Sequence, residues 1–413
     1  MSSVSRLPFL FIATGLFGFV LFHATSLLSL TGWLGDGIRG PAGWFQTHLF
    51  VLGWATMLAM GAVYQLIHVI LQSVVFSERL GYLHYLLFTF GLFGLLFGFV
   101  QGDILWIAGF ATLAFTGILL FSVNLAVTLY RSAKWNSITL STAFALFYLL
   151  VTGLTGLSMG IDFGTGWLSD AHENFFHAHI WLGTLGWFGS LITGFSYKLL
   201  PMFYLSHDYK TRLQYITFAL WNTGVLSGAV LFLAGADLLA VRLSLPLIAT
   251  ALLIYNVHLW QIRSKRHKRN PGVGIAWSVR GNQLFALFAL AMTIKLWIAP
   301  ELIQSEKTLL IIGWTYLSGW VSFMVLCYAS KIIPFLWWTH KYGKRVGKPG
   351  TPIMAGLLNE RKAGLGLASI ATTTLAVMAG LALESQPIVT VAGILFSLVS
   401  IGYISLVALV FSR

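Results

Sequence analysis

The chain has 413 residues, of which 57% are apolar and only 9% charged, with a mean hydropathy of +0.83. A water-soluble globule carries about a quarter of its residues charged, so that class is excluded. The single cysteine, Cys327, excludes disulfides, thiolate-held iron–sulfur clusters, Cys-x-x-Cys-His haem attachment and a dinuclear copper–thiolate centre.

Apolar runs bounded by charge or by Gly/Pro clusters fall near 8–30, 43–72, 82–101, 104–130, 138–159, 174–203, 213–236, 241–262, 279–299, 308–337, 363–384 and 388–411. A helix needs about 20 residues to cross the hydrocarbon, so these runs predict an all-α membrane protein of twelve transmembrane helices with no large soluble domain. The first run is too long for a signal-peptide core and reads as an uncleaved helix. Lys and Arg gather at both termini and in the loops after even-numbered spans, notably Arg263, Lys265, Arg266, Lys268, Arg269 and Lys341, Lys344, Arg345, Lys348. By the positive-inside rule both ends are cytoplasmic, in a multi-pass protein of the cytoplasmic (inner) membrane. Asp36, Asp103, Asp162, Asp170, Glu173, Asp237, Glu301, Glu306 and Glu384 take the opposite face, where only Arg39, Arg242 and Lys307 are basic. The net charge of +13 is therefore topology, and the expected partner is lipid and not nucleic acid.

The chain repeats itself. Gly53-Trp54, Gly186-Trp187 and Gly319-Trp320 recur at an interval of 133 residues. The same offset carries Tyr64 onto Tyr197, Lys198 onto Lys331, Pro201 onto Pro334 and His207 onto His340. Each matching stretch is the second span of a group of four, so the single membrane domain divides into repeats near 1–135, 136–268 and 269–413. The second, sixth and tenth helices are then expected to line a pseudo-threefold ring.

Twelve helices in three groups of four, with histidines on the second helix of a group, resemble subunit I of the heme–copper oxidase superfamily. The stretch His177-Ala-His179 followed by Ile-Trp-Leu-Gly-Thr-Leu-Gly-Trp, Gly194, Tyr197 and Leu-Leu-Pro201 is similar to the His-x-His tenth-helix segment of cbb-type oxygen reductases and nitric oxide reductases. Here it stands on the sixth helix. Thr47-His48-Leu-Phe-Val-Leu-Gly-Trp54 is likewise similar to the second-helix segment, where the resemblance makes His48 an axial ligand of a low-spin haem. The region equivalent to the oxidase tenth helix, Ile312 to Trp320, has no histidine, and the seventh helix lacks the adjacent histidine pair of the copper centre. The resemblance thus implies haem without an intact oxygen-reducing site. The nearer analogy is to the small, divergent NnrS-like proteins, associated with haem, copper and nitrosative stress.

Placed by depth at about 1.5 Å per residue, the eleven histidines form two layers. His23, His48, His177 and His179 lie in the outer third of the membrane, with His172 and Glu173 at the rim. His68, His84, His207, His258, His267 and His340 lie toward the basic face. An ionisable side chain within the hydrocarbon is costly unless it is paired or faces a cavity, so the outer layer is the candidate site. Neutral imidazole is an axial ligand for haem iron, and a haem b with His48 and then His179 as ligands is expected. His177 and His179 project about 200° apart around a helix, so one can bind iron while the other meets a second metal or a neighbouring helix. His172, Glu173, His177, His179 and His48 are the candidate donors for copper or another metal. Arg39, Arg242 and Lys295 are the cations available to haem propionates.

Together these features describe a haem-binding membrane protein that handles nitric oxide or another small diatomic ligand, or passes an electron, with an oxidoreductase activity left open. The competing readings are a metal-handling transporter and an assembly or structural protein on the same scaffold. Threefold repetition disfavours the transporter, whose repeats are usually twofold. Protein partners are not legible in the residues.

Overall fold

The computed structural model describes residues 5–29, 39–72, 74–303 and 305–413, and Asp36 lies outside them. The described residues form twelve long helices and no sheet. In chain order, and numbered first to twelfth, they are Leu7–Ser29, 41–71, Glu78–Gln101, Ile104–Ser132, Ser137–Thr165, 172–204, Arg212–Leu233, Asp237–Ser264, Val273–Ile298, 306–342, Glu360–Ala382 and Gln386–Ala408. Eleven are long and apolar enough to cross a membrane, which makes the chain a multi-pass helical membrane protein. The sixth is long enough too, but Glu173, Lys198 and its Gly, Ser, Thr and His residues dilute its apolar content.

Helix ends follow local chemistry. Ser77, Asp103, Asn136 and Asn359 accept backbone N–H groups of the first turns of the third, fourth, fifth and eleventh helices. Gly102 and Gly166, at φ 66° and 64°, close the third and fifth. Sequential helices pack as neighbours, most extensively third on fourth, seventh on eighth and eleventh on twelfth, and the first helix also packs on the twelfth.

The second, sixth and tenth helices share a feature that apolar patterning cannot reveal. Each is interrupted by eight residues of π-helix, Leu49–Thr56, Leu182–Gly189 and Thr315–Ser322. These three segments stand at the same 133-residue interval as the Gly-Trp pairs they contain. A π-turn inserts one residue into the helical repeat and rotates the turns before it against the turns after it, and such insertions concentrate at functional positions.

The buried tryptophans of the segments tie the three helices together. Trp54 Nε1 donates to Ser322 Oγ at 3.3 Å, and Trp187 Nε1 donates to Thr56 Oγ1 at 3.3 Å. Thr56, Gly189 and Ser322 occupy one register position. At Gly189 there is no hydroxyl, and a Cβ there would lie 2.1 Å from Trp221 Cζ2. Trp320 therefore turns to Asn282 Oδ1, at 2.8 Å.

Candidate functional site

Of the outer-layer histidines, the structure brings two together. The rings of His48 and His179 have centroids 6.3 Å apart and planes inclined by 30°. His48 is the last α-helical residue before the first π-segment, and His179 stands three residues before the second.

Each ring is held through its Nδ1. His48 Nδ1 lies 2.8 Å from the Trp44 carbonyl one turn earlier, and His179 Nδ1 lies 2.9 Å from the Thr152 carbonyl of the fifth helix. A carbonyl only accepts, so in the neutral ring both Nδ1 atoms carry the proton and both Nε2 atoms carry a lone pair. Donation of the second ring N–H to a carbonyl is the usual arrangement for an imidazole that binds a metal.

The spacing fits that chemistry. A ring nitrogen about 2.0 Å from a metal puts the ring centroid about 3.1 Å from it, so two imidazoles on opposite sides of one ion have centroids about 6.2 Å apart. Both rings are half-buried, whereas His23, His84 and His258 are sealed in the core. Phe99 lies 5.0 Å from His48, and Trp44 stacks on Phe163 at 5.0 Å, which supplies an apolar wall of the kind a porphyrin needs. Behind His179, Gly156 leaves room for the ring, because a Cβ there would sit 2.8 Å from Cε1. Thr155 Oγ1 also touches His179 Nδ1, at 3.3 Å.

The other candidates do not join this pair. His23 turns to the twelfth helix, with Nδ1 3.1 Å from Ser397 Oγ and its ring caged by Phe19, Phe22 and Phe396. His172 Nδ1 lies 2.6 Å from Asp162 Oδ2, and Asp162 Oδ1 accepts from Leu168 N–H at 2.7 Å. His172 is thus a staple of the connection between the fifth and sixth helices. His177 faces the eighth helix, with Nδ1 3.2 Å from Asp237 Oδ2 and Nε2 3.9 Å from Glu173 Oε2. Among the described residues no three His, Cys, Asp or Glu side chains converge as metal donors, so the expected set of His48, His179, His177, His172 and Glu173 does not assemble. The cause is rotational: residues close in depth project toward the fifth, eighth and twelfth helices.

The expected cations are likewise dispersed. Arg39 pairs with Glu173 at 3.1 Å on the rim and covers Phe176. Arg242 lies over the Trp297 ring, and Lys295 Nζ donates to Thr308. Lys331, the repeat equivalent of Lys198, is paired with Glu360.

Sequence reasoning missed Thr152, Gly156 and Phe99. The Thr152-Gly-Leu-Thr155-Gly156 run, small and polar inside an apolar helix, is the signal that could have found the first two, since such residues mark close helix contacts in membranes. No protein-family model matches this chain, and a search of curated proteins finds none similar to it.

Proposed function

We propose that this chain is a haem-binding protein of the cytoplasmic membrane, built as three four-helix repeats on a scaffold like heme–copper oxidase subunit I, which holds one haem b between His48 and His179 near the outer face. The observation that carries the proposal is the imidazole pair itself: ring spacing suited to opposite faces of one ion, with both Nδ1–H groups already committed to carbonyls. The recurrence of π-segments and the Trp54–Ser322 and Trp187–Thr56 bonds support the threefold arrangement. Bound there, the haem supplies a one-electron couple.

The chain's own residues orient and insulate. The Trp44 and Thr152 carbonyls fix the tautomers and hold the rings against rotation. Phe99, Trp44 and Phe163 keep water from that side. Arg39, two residues before the second helix, is engaged by Glu173 on the rim and would serve a propionate only by leaving that pair. His48 and His179 would hold the haem through their Nε2 atoms, and the one-electron couple it would supply there suits passing an electron.

Purified protein supplemented with haem is expected to show a Soret band, split α and β peaks on reduction, and one haem per chain. His48→Ala and His179→Ala are each expected to abolish that spectrum or convert it to a five-coordinate form that binds carbon monoxide. Unchanged haem content and spin state in both variants would remove the assignment. Copper or zinc bound by this pair in place of porphyrin would favour the metal-handling reading.

A further inference from the structure

At the basic end of the bundle the sixth helix ends at Tyr204 and the eighth at Ser264, and the chain then folds back against them. Ser206 bridges Arg266, and Lys268 N–H donates to the Tyr204 carbonyl at 2.9 Å. The fold-back leaves a cleft of about 460 Å³ lined by Tyr204, Arg263, Arg266, Arg269 and Asn270. None of these three arginines forms an ion pair with a carboxylate among the described residues.

Like charges gathered round one cleft repel each other until an anion sits between them. Guanidinium groups match the oxygens of a phosphate in pairs, which a lysine ammonium does not do. The surface leading to the cleft is apolar. Leu253, Val257 and Trp260 are 37%, 51% and 66% exposed, follow one another along a single face of the eighth helix, and run into Arg263. An acyl chain lying on that face would carry its headgroup to the arginines, and basic pockets at the cytoplasmic boundary of helical membrane proteins take anionic headgroups.

We propose that this cleft is a binding site for a phosphate-bearing anion, with the phosphodiester of an anionic lipid as the source its position favours. The site is separate from the His48–His179 pair and does not depend on haem. The test uses the full chain, stripped of lipid in neutral detergent and returned to nanodiscs of phosphatidylcholine containing phosphatidylglycerol, with retained lipid read by native mass spectrometry. Inorganic tripolyphosphate in the lipid-free protein is the second probe. Arg263→Gln/Arg266→Gln/Arg269→Gln is expected to weaken phosphatidylglycerol retention on the order of a hundredfold. Lys344→Gln/Arg345→Gln/Lys348→Gln, which removes equal charge from the loop after the tenth helix, is expected to leave it unchanged. Retained phosphatidylglycerol lost only in the arginine variant assigns the lipid. Tripolyphosphate binding lost only in that variant, with no lipid retained, assigns a soluble phosphate. Equal loss in both variants, or no loss of either probe in the arginine variant, overturns the site.

Discussion

The position held by His48 recurs twice at the 133-residue interval, as Trp181 and Trp314, and that of His179 recurs as Gln46 and Ile312. Two of the three places share a surrounding, while Trp314 meets Phe396 of the twelfth helix instead. His48 lies 5.0 Å from Phe99, and Trp181 lies 5.4 Å from Phe232, the equivalent phenylalanine. Trp181 and Trp314 fill the space with indole and donate Nε1–H to the Val225 and Thr374 carbonyls of the next helix, at 3.0 and 3.1 Å. His48 is smaller, donates to a carbonyl of its own helix and keeps a second nitrogen available. The difference teaches that one repeat position is filled by an indole in two copies and by a smaller imidazole, bonded within its own helix, in the other.

The comparison can be broken most forcefully by importing the indole. His48→Trp should yield a folded, monodisperse protein with no haem, whereas retained haem would show that the space is not the binding site. Gly156→Ala should come next. Its methyl group displaces the His179 ring and should weaken haem affinity on the order of 10- to 100-fold, as losses of support around metal-binding histidines do, measured by haem titration. Trp187→Phe probes the tie between the sixth and second helices. Losing the bond to Thr56 should cost about 0.6 kcal/mol, and no more than roughly 1.7 kcal/mol, of stability while leaving the haem spectrum intact.

The smallest effect is expected at the opposite kind of site, an exposed ion pair. Lys307 Nζ, at the start of the tenth helix, lies 2.8 Å from Glu384 Oε1 in the connection between the eleventh and twelfth, and this hydrogen bond and the ammonium charge hold the Glu384 carboxyl below its ordinary range. A carboxyl whose folded pKa is depressed contributes stability above its unfolded pKa and loses that contribution as pH falls through the folded value. Thermal unfolding of Glu384→Gln should therefore match the parent at low pH and fall slightly below it near neutrality. A difference that grows on acidification would contradict the pairing.

Much of the architecture is readable from residue order. The first span is predicted at 8–30 and found at Leu7–Ser29, and the fourth at 104–130 and found at Ile104–Ser132. Ends shift where polar residues extend a helix beyond its apolar run, as Glu78 to Leu80 do ahead of the third and Ile161 to Thr165 at the end of the fifth. The site is readable only in part. His48 and His179, the first and second choices of ligand, are the two outer histidines whose rings meet. His23, His172 and His177, set apart by nothing except helical phase, turn instead to Ser397, Asp162 and Asp237.

Residue order by itself determined that this chain is a bundle of membrane helices, because a backbone in hydrocarbon must satisfy its own hydrogen bonds and long apolar runs leave it only the helix. Tertiary structure alone decided which imidazoles face each other. That choice depends on the rotation of each helix about its axis, which the π-segments reset, and on the carbonyls and glycines that neighbouring helices happen to offer.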